Sequence, residues 1–152
     1  MDARKTLSTR FCQRVGIQYP ICQAGMGFIA PGRLAAAVSA AGGLGVIGAA
    51  SMTAVQLREE IKIVRDTTDK PFGVDILFAQ IKAEQTDQVV RYTDEVTRLI
   101  EVVLEEKVPV LAAGLGTPAG VVPDAHAQGI TVMALAGNVK QAKKMAAEGV
   151  DV

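Results

Sequence analysis

The sequence predicts an α/β protein made of repeating parallel β/α units. Short apolar segments of strand length recur between longer segments of helical periodicity, with no linker or low-complexity run between them. Strands separated by helices pair in parallel, because each helix returns the chain across the sheet. Apolar residues make up 49% of the chain, which suits strands buried on both faces.

The elements follow in order. A first strand is expected at residues 20–24, ending in the turn Gly25-Met26-Gly27. A helix starts near Pro31, with Leu34, Ala37, Val38 and Ala41 as its buried face. Strand two covers residues 45–47. The next helix opens at Thr53, with Gln56 completing a capping box and Ala54, Leu57, Ile61 and Val64 forming its stripe. Strand three, residues 72–78, alternates: Phe72, Val74, Ile76 and Phe78 face one way, Gly73, Asp75 and Leu77 the other. A polar stretch at residues 80–92 leads into a helix with Val96, Leu99, Ile100 and Val103 on one face. Strand four is expected at residues 108–112. Thr117-Pro118 reads as an N-cap followed by Pro at the first helical position, although Pro123 argues against a regular helix through that stretch. Strand five covers residues 131–135, and Asn138 caps a helix bearing Val139, Ala142 and Ala146. Residues 147–152 read as a helix end, a glycine turn and the opening of a sixth strand, so truncation inside a repeating unit is the expectation. Five units and the start of a sixth leave two architectures, an open doubly wound sheet or part of an eight-unit barrel. A full barrel takes about 250 residues, more than the 152 present.

Composition narrows the function. Lys plus Arg number 16 and so do Asp plus Glu, so nothing favours a phosphate-tracking surface and no nucleic-acid partner is expected. Cys12 and Cys22 have no metal-ligand spacing, and Cys22, within an apolar run, reads as a small core residue. No apolar region follows the charged N-terminus, and no stretch reaches the roughly 18 apolar residues of a membrane span. A reducing, cytoplasmic location is the default.

Three motifs bear on chemistry. Gly43-Leu44-Gly45-Val46-Ile47-Gly48 matches G-x-G-x-x-G, but a dinucleotide fingerprint follows a strand and opens a helix, whereas here a helix precedes it and the strand lies inside. Close backbone approach at strand two is the simpler reading. Gln23-Ala24-Gly25-Met26-Gly27 puts glycines at the carboxyl end of the first strand, where a flat ligand can reach the main chain; a plain βα turn is the alternative. Asp75 lies on the face of strand three away from the phenylalanines, where an unpaired carboxylate costs several kcal/mol, so it meets either a polar ligand or a structural partner. His126, the only histidine, falls in the polar helical stretch 124–128 and reads as a solvated helix residue.

The runs Gly16-Ile17-Gln18-Tyr19-Pro20-Ile21, Gln23-Ala24-Gly25-Met26-Gly27 and Leu34-Ala35-Ala36-Ala37-Val38-Ser39-Ala40-Ala41-Gly42-Gly43-Leu44-Gly45 resemble the start of the nitronate monooxygenases, once called 2-nitropropane dioxygenases. Thr68-Asp69-Lys70-Pro71-Phe72-Gly73-Val74, Gly114-Leu115-Gly116-Thr117-Pro118 and Glu148-Gly149-Val150-Asp151-Val152 continue the likeness in order. The resemblance implies the N-terminal portion of a TIM-like barrel over residues 1–152, with FMN at the carboxyl ends of the strands and any inserted subdomain outside this stretch. It implies that Ala24, Gly25 and Met26 line the flavin, that Asp75 stands where the family commonly has Asn at the flavin's polar edge, and that Leu135 lies beside the cofactor through its backbone. The family's catalytic histidine would fall after residue 152, so no catalytic residue and no metal ligand is expected here. The implied activity is oxidation of alkyl nitronates by O₂. The related FMN-dependent enoyl-acyl-carrier-protein reductases and NADH:quinone reductases are the alternatives, and a half-barrel that associates with itself or with a C-terminal barrel fragment is another.

Overall fold

The computed structural model describes residues 7–78 and 92–152. Its elements are α1 (Arg10–Val15), a 3₁₀ turn (Gly27–Ile29), α2 (Gly32–Ala40), β1 (Gly45–Gly48), α3 (Ala54–Thr67), β2 (Phe72–Phe78), α4 (Asp94–Glu105), β3 (Val110–Gly116), α5 (Val122–Ala127), β4 (Thr131–Ala134) and α6 (Val139–Ala147). The four strands form one sheet in the order β1-β2-β3-β4, and every pair is parallel. Most of the polar stretch expected at residues 80–92 lies outside the described residues.

The expected first strand is not one. Residues 20–24 make a single parallel bridge, Cys22 to Leu44, so the described sheet has four strands where the sequence suggested a fifth. The reason is Gln23. Its side-chain amide donates to the Val46 carbonyl at 2.9 Å and accepts from the Val46 N–H at 3.2 Å. A side chain thus satisfies the edge of β1, where a backbone ladder would otherwise run.

Boundaries elsewhere moved for local reasons. β2 and the Thr53–Gln56 capping box stand as expected. β3 begins two residues later than residue 108 and continues to Gly116. The helix expected from Thr117 starts instead at Val122, with Pro123 in its first turn. Thr117 Oγ1 is engaged otherwise, accepting from the Ala119 N–H and donating to Glu148.

Helices and sheet enclose the main core. Phe72, Val74, Ile76 and Phe78 pack with Leu57, Ile61, Val64, Leu99 and Val103, so the alternation read in strand three is real. The buried face of α2 is not Leu34, Ala37, Val38 and Ala41 but Gly32, Ala35, Ala36 and Ser39. This helix lies so close to β1 that a Cβ on Gly45 would sit 1.9 Å from the Ala35 carbonyl oxygen. Only the smallest residues fit that contact, and the bulkier ones turn to its flanks. Gly45 and Gly48 therefore serve close packing within β1, and the glycine-rich motif opens no helix.

The opposite face of the sheet is covered at its lower end by α1: Cys12, Val15 and Ile17 pack with Leu44, Val46, Val110 and Ala112. At the far edge, residues 150–152 run beside β4, with Asp151 N–H donating to Val132 O at 2.9 Å and Ala134 N–H to Val152 O at 3.0 Å. Helix α6 forms behind its Asn138 cap, yet it buries no residue, and Val139 is 71% exposed. Its expected stripe is an apolar face without cover among the described residues.

Candidate functional site

Asp75 is the fourth residue of β2, and its side chain faces away from α3 and α4. The register places it opposite Gly48 on one side and Ala112 on the other. One residue further the pairing slips: Ile76 aligns with Ala113 but Leu77 with Leu115, so Gly114 is an extra residue bulged out of β3. The bulge presses the Gly114 main chain against the carboxylate, and a Cβ there would lie 2.8 Å from Asp75 Oδ1. Gly25 approaches from the other side, where a Cβ would lie 2.4 Å from Asp75 Cβ. The carboxylate is held between two glycine backbones contributed by residues 50 and 39 positions away in sequence.

Oδ1 of Asp75 is buried and has no hydrogen-bond partner among the described residues. Burial pushes the carboxyl pKa up to about 6, with the nearby Gly114 amide pulling the other way. The group opens onto a cavity of about 290 Å³ lined by Cys22, Ala24, Gly25, Val46, Ala112, Ala113, Gly114, Met133, Ala134 and Leu135. Its walls are small and apolar. Besides Asp75, only Cys22 titrates there among the described residues, and partial desolvation of its sulfur together with the Asp75 charge raises its pKa, so it stays a thiol. A second cavity, about 720 Å³, shares Gly114 and Leu135 and extends towards Thr117, Gln141, Lys144 and Glu148.

Four of the five residues expected to face a cofactor, Ala24, Gly25, Asp75 and Leu135, therefore line one cavity. Met26 does not line it; its side chain is 41% exposed at the start of the 3₁₀ turn. Cys22 is exposed on the cavity rim and is not the core residue expected, although its main chain bridges to Leu44. Sequence reading missed Gly114. Its signal was visible as the first glycine of Gly114-Leu115-Gly116, but a bulge opposite a carboxylate requires knowing which residues pair.

His126 lies in α5 as expected, but it is not simply solvated. Its Nε2 is 3.0 Å from Asp151 Oδ2, and the same carboxylate also accepts from the Val132 N–H at 2.8 Å and from Arg14. This cluster stands on the β4 edge of the sheet, two strands from β2. It takes no part in the Asp75 cavity.

Known proteins share this fold. Residues 8–152 match the family model described as nitronate monooxygenase. The chain is 36% identical over 146 residues to (3aS,4S,5R,7aS)-5-hydroxy-7a-methyl-1-oxo-octahydro-1H-indene-4-carboxyl-CoA dehydrogenase of Rhodococcus jostii, covering 96% of this chain and 38% of that protein. Among solved structures, FabK from Thermotoga maritima superposes with a TM-score of 0.84 at 34% identity, over 95% of this chain and 42% of that one. Nitroalkane oxidase from Streptomyces ansochromogenes gives 0.78 at 29% identity, over 89% and 45%. The chain thus spans less than half the length of these relatives. The family match spans the stretch that holds Gly25, Asp75, the bulged Gly114 and all four strands, and the chain belongs to the nitronate monooxygenase family.

Proposed function

We propose that this chain supplies the flavin-facing wall of an FMN-dependent oxidoreductase, whose full-length form oxidises alkyl nitronates with O₂. The observation that carries the reading is Asp75: a carboxyl group with an unpartnered buried oxygen, opening onto an apolar cavity bounded by bare main chain. A flat, largely apolar ring with one polar edge fits such a cavity. No Lys or Arg lines it among the described residues, so the cofactor's phosphate would be held elsewhere. FMN, when bound, supplies the electron-accepting ring.

The chain's own residues have separable parts in this reading. Ala24 and Gly25 offer main chain that a planar ligand can approach closely. Ala112, Ala113 and Ala134 form a wall that excludes water, which strengthens every polar contact within. Asp75 fixes the orientation of the ligand's polar edge. Leu135 borders the site mainly through its backbone, and Met26 takes no part in its lining.

A second reading has specific support. FabK and the CoA-linked dehydrogenase match nearly the whole chain, which favours an FMN-dependent reductase drawing hydride from NAD(P)H. One experiment separates the two on the purified full-length protein. Nitronate oxidation predicts oxygen uptake with an alkyl nitronate and no anaerobic bleaching of the flavin by NADH or NADPH. Bleaching by either nucleotide, without nitronate-dependent oxygen uptake, would replace the first reading with the second. Absence of flavin absorbance would remove both.

A further inference from the structure

We propose that Asp75 is a proton-dependent binding group: it takes up one proton as it pairs with a ligand edge that carries an N–H beside a C=O, the chemistry of a flavin's pyrimidine ring. The inference rests on the flavin reading above and adds to it the protonation state in which the site binds.

The argument starts from hydrogen-bond capacity. An –NH–C(=O)– edge offers one donor and one acceptor side by side. An ionised carboxylate only accepts, whereas a carboxylic acid both donates and accepts. The protonated form can therefore satisfy both ligand atoms, and the ionised form leaves the ligand carbonyl facing a negative charge.

The surroundings decide which form is favoured. Among the described residues, Cys22, from the segment before Gly25, is the only other titratable group lining the cavity, and β1, β3 and β4 contribute only Val46, Ala112, Ala113, Gly114, Met133 and Ala134. No cation is present among these residues to hold the carboxylate ionised. Burial already brings the pKa up to about 6, and a ligand that excludes water and places a carbonyl beside the group raises it further. Gly25 and Gly114 clamp the side chain from both sides, so it cannot swing out to solvent to escape the cost. Proton uptake is the remaining response.

The test is a titration of apoprotein, prepared from the full-length enzyme, with riboflavin between pH 5 and 9. Riboflavin lacks the phosphate, which itself titrates near pH 6. One-proton linkage predicts that the wild-type dissociation constant weakens towards tenfold per pH unit above the pKa of the free site. Asp75→Asn, which donates and accepts at every pH, should bind with a nearly flat profile over the same range. Asp75→Ala should bind more weakly than Asp75→Asn throughout, and circular dichroism confirms that each variant is folded. Parallel profiles for wild type and Asp75→Asn, with binding retained in both, would overturn this proposal and leave the flavin reading standing. No binding of riboflavin or FMN by folded wild-type protein at any pH would overturn both.

Discussion

Asp75 shows how a single residue can oppose the fold that contains it. Its carboxyl pKa stands near 6, against an ordinary 3.8. Because the folded value is raised, the folded state favours the protonated acid. Stability from this group is therefore fully present below about pH 4, falls between pH 4 and 6, and stays reduced above that. The full shift corresponds to about 3 kcal/mol; solvent at the cavity mouth screens part of it, leaving roughly 1–2 kcal/mol. Asp75→Asn should accordingly raise the urea midpoint at pH 7.5 and leave it nearly unchanged at pH 4. An equal effect at both pH values would show that ionisation is not the cause. Gly25 belongs to the same argument. Sequence alone suggested that it is small to admit a ligand, but the nearest atoms to an added Cβ belong to Asp75. Gly25→Ala should destabilise the protein by about 1–3 kcal/mol, the usual range for overpacking. In an Asp75→Gly background most of that loss should disappear, a coupling that a double-mutant cycle measures directly.

At the scale of elements, side chains decide where the regular structure stops. Gln23 closes the edge of β1 by bonding both main-chain groups of Val46. Gln23→Ala should leave those groups unpaired and cost about 1–3 kcal/mol, measurable by thermal unfolding. Gln23→Glu should recover little, because a carboxylate cannot donate to the Val46 carbonyl. The end of α4 offers the opposite case. Lys107 follows the helix with φ 47°, the left-handed conformation that glycine adopts without a Cβ clash. Lys107→Gly should stabilise the protein by about 0.5–1 kcal/mol; a loss would mean that the lysine side chain makes a compensating contact. Capping was the most legible feature of all. Thr53 with Gln56, and Asn138 with Gln141, cap α3 and α6 as their spacing suggests, because capping acts within four residues and needs no distant partner.

Across the whole molecule, the two edges of the sheet differ. The β1 edge is closed by Gln23, whereas the β4 edge is tied to the N-terminal helix through Asp151, which receives Arg14, His126 and the Val132 amide. Burial alone would raise the Asp151 pKa, but the Val132 N–H, His126 and Arg14 together hold it below the usual value. Stability from this group is present above about pH 4 and is lost as pH falls through the lowered pKa, the reverse of Asp75. Asp151→Ala should destabilise the chain at pH 7 and have a smaller effect near pH 3. Beyond this cluster lies α6 with no buried residue, beside Leu135 at 72% exposed and Val139 at 71%. We propose that this face is covered by another copy or by a C-terminal barrel segment. Sedimentation of the 152-residue chain should then show assembly, or its purification should bring the C-terminal segment with it; a compact monomer that purifies alone would refute it. The parallel β/α class, the span of β2 with its two faces, the α3 and α6 caps and the side on which Asp75 projects were all determined by the sequence itself, since each depends on periodicity or on neighbours a few residues away. Tertiary structure decided the rest: which small residues of α2 meet β1, why residues 20–24 form no strand, and how a bulge at Gly114 and a glycine at 25 close on one carboxylate. Those outcomes turn on distances between segments far apart in the chain, which the periodicity of a single chain does not encode.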